Sequence, residues 1–181
     1  MPVKPEKFNF STHDRANIIL VGMPGSGKST VGVILAKLLS RSFIDTDILI
    51  QASEQRPLQD IVDREGYMAL RRIEERILLS LDCKAHVIAT GGSAVYSQSG
   101  METLRANGIV VYLQVYLPTL ESRVRDFTTR GLAKRPDQTF ADLFQERTSL
   151  YSRYADLTID CSGLTHEEVC ARIIDHLVFK E

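Results

Sequence analysis

Short, wholly apolar runs alternate along this chain with stretches whose apolar residues recur every three or four positions. The runs predict strands over residues 18–21, 42–45, 87–90, 109–113 and 157–160. The longer pattern predicts helices over 28–39, 58–64, 67–81, 101–106, 120–127, 140–154 and 167–178. In the first helix it places Val31, Leu35, Leu38 and Leu39 on one face. Thr165 with Glu168 forms a capping box that starts the last helix. Strands alternating with helices predict a mostly parallel sheet covered by helices, with ligands at the carboxyl ends of its strands. Residues 1–16, polar and proline-containing, are expected to be a flexible arm, and residues 17–181 one domain.

Composition narrows the classes. At 181 residues, 44% hydrophobic and 25% charged, the chain suits one globular domain with its own core. A net charge of −1 gives no general field for nucleic acid or an anionic membrane. No run approaches the roughly 20 apolar residues of a membrane span, and no signal peptide is recognisable. Cys83, Cys161 and Cys170 form no metal-binding spacing and suit a reducing, cytoplasmic setting. His13, His86, His166 and His176 show no catalytic arrangement and are read as surface or structural residues.

The chemistry begins with Gly22-Met23-Pro24-Gly25-Ser26-Gly27-Lys28-Ser29, a G-x-x-x-x-G-K-[ST] phosphate loop between an apolar strand and a helix. Its glycines let backbone N–H groups turn inward on a polyphosphate. The helix N-terminus and Lys28 add positive charge. Ser29 is placed to hold Mg2+ on the same phosphates, and Thr30 follows it.

Three further groups lie at strand ends or on the next helix. Phe43-Ile44-Asp45-Thr46-Asp47 closes the second strand. Residues two apart on a strand share a face, so both carboxylates are expected to point at one spot, Asp45 to the metal and Asp47 to an acceptor hydroxyl. The alternative is a pair of solvated turn residues or a helix N-cap. Arg71 lies on a helix whose core side is expected at Ile73, Ile77 and Leu81. It reaches a ligand or is solvated, and Glu74 three residues on is expected to steady it. Thr90-Gly91-Gly92-Ser93 follows the third strand, where a double glycine permits close backbone approach to a ligand or simply a tight turn.

These motifs in this order, with Glu146-Arg147-Thr148-Ser149-Leu150-Tyr151 and Ala155-Asp156 after them, resemble the shikimate kinase family from Ile18 to Leu177. The family is a nucleoside-monophosphate-kinase-like branch of the P-loop proteins. The resemblance implies a three-layer α/β/α fold around a five-stranded parallel sheet. It also implies a substrate-binding helical region, here about 46–81, and a lid, here about 127–138. It implies ATP-dependent phosphorylation of shikimate to shikimate 3-phosphate, on the way to aromatic amino acids, by a cytoplasmic monomer.

The resemblance also implies the residue roles. Gly25, Ser26, Gly27, Lys28, Ser29 and Thr30 hold ATP, Lys28 binds the transferring group, and Ser29 with Asp45 holds Mg2+. Asp47 orients the acceptor hydroxyl. Arg71 and Arg147 grip the carboxylate of shikimate, a task suited to a planar guanidinium fork, and Gly91 and Gly92 touch the same substrate.

Several positions depart from the family pattern. Ser93 replaces a third glycine, Thr148-Ser149 replaces a proline-containing pair, and Gln51 stands where glutamate is common. The lid has two candidates, Arg135-Pro136 and Arg130-Gly131-Leu132, which follows Arg125-Asp126 as a family lid would. Arg130 is the favoured lid arginine, with Arg135 as a further ATP contact. The competing readings are a related kinase of another small hydroxy acid or nucleotide, and a non-catalytic nucleotide-binding module.

Overall fold

The computed structural model describes residues 16–123 and 131–178. The expected arm, apart from its last residue, lies outside that range, as do Arg125, Asp126, Arg130 and His13.

Five parallel strands form one sheet: β1 (Asn17–Val21), β2 (Ser42–Asp45), β3 (His86–Ala89), β4 (Gly108–Gln114) and β5 (Leu157–Asp160). Their order is β2-β3-β1-β4-β5, with every neighbouring pair parallel. All five residues of β1 are buried, as a central strand covered on both faces requires. Each of Ile18, Ile19, Leu20 and Val21 so buried contributes about 1.5–3 kcal/mol relative to exposure. The connections from β1 and β3, which are neighbours, leave in opposite directions. That opens a crevice at their carboxyl ends, the usual ligand position of an open α/β sheet.

Among the described residues, eight α-helices accompany the sheet: α1 (Lys28–Leu38), α2 (Thr46–Glu54), α3 (Leu58–Glu65), α4 (Tyr67–Ser80), α5 (Gln98–Ala106), α6 (Leu117–Arg123), α7 (Phe140–Tyr154) and α8 (His166–Val178). α1 packs on α8 and β3, and α5 on β4 and α4. The capping box of α8 is present: Thr165 N–H donates to Glu168 Oε2 at 2.7 Å, and Glu168 N–H to Thr165 Oγ1 at 3.2 Å. Besides the main core, Ile50, Ile61, Ala69, Leu70 and Ala133 form a second, smaller cluster. It joins α2, α3 and α4 to the chain just after the lid candidate. Among the described residues, no helix is long and apolar enough to cross a membrane.

The structure corrects the sequence reading at several points. α2 was not expected. The second strand stops at Asp45, whose carboxylate caps α2 by accepting from Asp47 N–H at 3.0 Å and Ile48 N–H at 3.4 Å. Asp47 therefore lies in the first turn of a helix and not on a strand with Asp45. α4 buries Ala69, Leu70, Glu74 and Leu78, while Ile73 and Ile77 are only partly buried, against the second cluster. In α1 the buried face is Val31, Gly32, Leu35 and Ala36, and Leu38 is 57% exposed. α5 starts three residues earlier than expected, where Ser97 caps it, and α6 starts at Leu117.

Candidate active site

The phosphate loop is built by its glycines. Gly25 and Gly27 have φ of 83° and 95°, in the left-handed region that glycine enters freely. Gly27 delivers the chain into α1 at Lys28. The Lys28 ammonium folds back into the loop and donates to the carbonyls of Gly22 (2.8 Å) and Met23 (3.0 Å). Burial lowers its pKa to about 8, against the pull of the nearby Asp47 carboxylate. Among the described residues, the buried Ser26 hydroxyl has no hydrogen-bond partner. The Ser29 hydroxyl donates to Asp45 Oδ2 at 2.6 Å, which brings the two expected metal-holding groups together. The Asp45 carboxylate thus serves α2 with one oxygen and Ser29 with the other.

A cavity of about 680 Å3 runs from this loop to the acceptor side. Gly25, Gly27, Lys28, Ser29 and Thr30 line one end; Asp47, Glu74, Gly92, Ser93 and Arg147 line the other. Burial raises the Asp47 carboxyl above the ordinary aspartate range, with Lys28 opposing the shift. Burial and the charge of Asp47 push Glu74 up to about 7. Both carboxyls crowd Gly91: a Cβ there would lie 2.2 Å from Glu74 Oε1 and 2.6 Å from Asp47 Oδ1. Glycine is required at this position to admit them, and its own N–H is committed to Thr46 Oγ1 at 2.9 Å. Gly92 is also tight, though less so. A Cβ there would meet Arg147 Nη1 at 2.8 Å, and its carbonyl accepts from the Tyr151 hydroxyl at 2.6 Å.

Arg147 is 1% exposed on α7. Its Nη2 donates to the carbonyl of Ala133 at 2.9 Å, and its Nε has no partner among the described residues. Arg71 reaches the same carbonyl with Nη2 at 3.3 Å, and its Nε is likewise unpaired. Among the described residues, neither guanidinium forms an ion pair with a carboxylate. A buried guanidinium with spare donors and no counter-ion is equipped to take an anion. Arg147 faces the cavity, whereas Arg71 is not part of its wall. Arg71 stacks instead on the ring of Tyr96, 3.5 Å from its centroid.

Two further expectations change. Glu74 does not steady Arg71, because its buried carboxyl accepts a short hydrogen bond from the Ser93 hydroxyl. His166, read as a surface or structural residue, lines the cavity, and its Nε2 would lie 3.3 Å from a Cβ on Gly27. Arg135 does not line the cavity and sits 3.6 Å from Glu146 Oε2. Gly131, Leu132 and Ala133, just past Arg130, do line it. Tyr96 and Ala133 were not singled out from sequence. Nothing local marks either one, since their importance comes from partners on α4 and α7.

A phosphate loop after the central strand, facing the buried Arg147 across one cavity, defines a P-loop protein of the nucleoside-monophosphate-kinase-like type. The chain belongs to the shikimate kinase family: the model of the family described as shikimate kinase matches residues 24–178. A shikimate kinase of Thermosynechococcus vestitus is 40% identical over 166 residues, covering 90% of each chain. A shikimate kinase from Acinetobacter baumannii, solved in complex with shikimate, superposes with a TM-score of 0.85 at 33% identity, covering 92% of this chain and 94% of that one. The shikimate kinase from Aquifex aeolicus superposes with a TM-score of 0.77 at 31% identity, covering 90% and 96%.

Proposed function

We propose that this protein transfers the γ-phosphoryl group of ATP to a hydroxyl of shikimate, giving shikimate 3-phosphate and ADP. The observation that carries the reading is one continuous cavity that joins the phosphate loop to Asp47 and Arg147. The loop amides and Lys28 bind the triphosphate, and Lys28 shifts from the Gly22 and Met23 carbonyls to the phosphate oxygens. Ser29 and Asp45 are adjacent oxygen donors of the kind Mg2+ prefers, and they are the residues that would hold it. When bound, Mg2+ neutralises charge on the transferring phosphates.

Arg147, with Arg71 behind it, takes the carboxylate of the acceptor. That grip fixes the ring so that one hydroxyl meets Asp47, which accepts its proton as the oxygen bonds to phosphorus. The leaving group is ADP. The transition state is loose, so aiming the hydroxyl matters more than raising its nucleophilicity. Arg130 is assigned as the lid arginine, and Arg135 is the second candidate for an ATP contact. Closure of 127–138 over the cavity would exclude water and suppress hydrolysis. Three free thiols, at Cys83, Cys161 and Cys170, suit a cytoplasmic enzyme.

A panel of acceptors with MgATP tests the reading. ADP release is expected to depend on shikimate and to stay near background with gluconate, serine or nucleoside monophosphates. Release that follows another acceptor, or none, would contradict it.

A further inference from the structure

Arg71 and Arg147 carry like charges, yet both donate to the carbonyl of Ala133 and neither forms an ion pair among the described residues. One carbonyl is a weak reason for two cations to share a half-buried corner. A second group supplies the rest. Tyr96 closes the 3-10 turn Ala94–Tyr96, which packs against both α4 and α7, the helices that carry the arginines. The Arg71 guanidinium lies 3.5 Å from the centroid of its ring and that of Arg147 lies 5.4 Å away. Tyr67 adds a second ring to Arg71 at 5.2 Å. The face of an aromatic ring is the negative part of its quadrupole and attracts cations without carrying charge. The Tyr96 hydroxyl is buried and makes no hydrogen bond of normal geometry, although Glu146 and Arg147 lie beside it.

We propose that Tyr96 is a positioning residue of the acceptor site: its ring gathers Arg71 and Arg147 without neutralising them, leaving the acceptor carboxylate as their counter-ion. A carboxylate at this place would hold the arginines at least as firmly and would cancel the charge the acceptor needs. The two carboxyls that attract the pair, Glu74 on α4 and the part-exposed Glu146 on α7, do so from beyond ion-pair distance: Glu74 accepts from Ser93, and Glu146 accepts from Gln138. The proposal rests on the acceptor reading above and extends it to a residue that does not line the cavity.

Steady-state kinetics of Y96L and Y96F test it. Loss of the ring in Y96L is expected to raise KM for shikimate about three- to thirtyfold, with kcat and KM for ATP moving less than about twofold. Y96F, which keeps the ring face, is expected to restore the low KM. In an R71A background Y96L is expected to add less than about twofold. An equal effect of Y96L with and without Arg71, or a parallel rise in KM for ATP, would overturn the proposal in favour of general packing. Side-chain 15N NMR of arginine separates this from failure of the acceptor reading. The Arg71 Nε–H signal is expected to be ring-shifted in the wild type and Y96F and unshifted in Y96L, whatever the substrate. A wild type inert toward shikimate would refute the acceptor reading, whereas an unshifted Arg71 in the wild type would refute the role of Tyr96.

Discussion

Ser93 donates its hydroxyl hydrogen to the buried carboxyl of Glu74, tying the turn after β3 to the middle of α4. The other oxygen of Glu74 has no hydrogen-bond partner among the described residues and is crowded with Asp47 around Gly91. Burial raises both carboxyls, and the nearby charge of Asp47 adds to the rise of Glu74, so Glu74 favours its protonated form.

This pair makes stability depend on pH. Glu74 titrates at about 7 in the fold, against 4.5 for an ordinary glutamate. Between those values the native protein holds more protons than the unfolded chain, so stability falls as pH rises through the window. The full penalty, at most about 3 kcal/mol, is present above pH 7. E74Q keeps an acceptor for Ser93 and removes the charge. Its Tm is expected to gain several degrees on the wild type between pH 5 and pH 8. Parallel Tm curves over that range would contradict the assignment.

Burial brings the Lys28 ammonium down to about 8. A triphosphate beside it favours the charged form and returns the pKa upward. Nucleotide binding near pH 8 is therefore expected to take up a proton. Calorimetry in buffers of different ionisation enthalpy measures that uptake, and zero uptake would contradict it. K28A is expected to lower kcat at least about a hundredfold, the scale of losing a charge aimed at the transition state.

Arg147 and Arg71 are expected to act on the acceptor and not on the nucleotide. Hydrogen bonds to charged groups contribute about 1.5–3 kcal/mol. R147A and R71A are each expected to raise KM for shikimate about ten- to hundredfold, with KM for ATP nearly constant. Unchanged shikimate kinetics in R71A would break the carboxylate assignment for that residue.

Gly131 couples the chain that follows residue 130 to α3. Its N–H donates to Gln59 Oε1 at 2.7 Å and its φ is 59°. A Cβ would come within 2.6 Å of the Leu58 carbonyl carbon and 2.7 Å of Gln59 N, both backbone atoms that cannot step aside. G131A is expected to undock this segment and to cost about 1–3 kcal/mol in thermal or urea unfolding. Wild-type stability would contradict the contact.

What the sequence revealed was what local spacing encodes. The order of strands and helices, the phosphate loop and the capping box at Thr165 need only neighbours in the chain, and the ordered motifs carried the family. Asp47 was misread because alternation at 45 and 47 looks like a strand end; the helix N-cap alternative holds for Asp45, whose side chain turns the chain into α2. α4 was misread because its buried face includes the charged Glu74, whose partner Ser93 lies 19 residues away. Tyr96 gave no signal, because its part depends on arginines from two other helices meeting at its ring. The choice of lid arginine stays with chemistry, since Arg130 lies outside the described residues and Arg135 sits near Glu146.

The most direct test of the central claim is 31P NMR of the protein with MgATP and shikimate. The expected result is a new phosphomonoester signal from phosphorylated shikimate, growing in step with ADP. Inorganic phosphate alone, or an unchanged ATP spectrum, would contradict it.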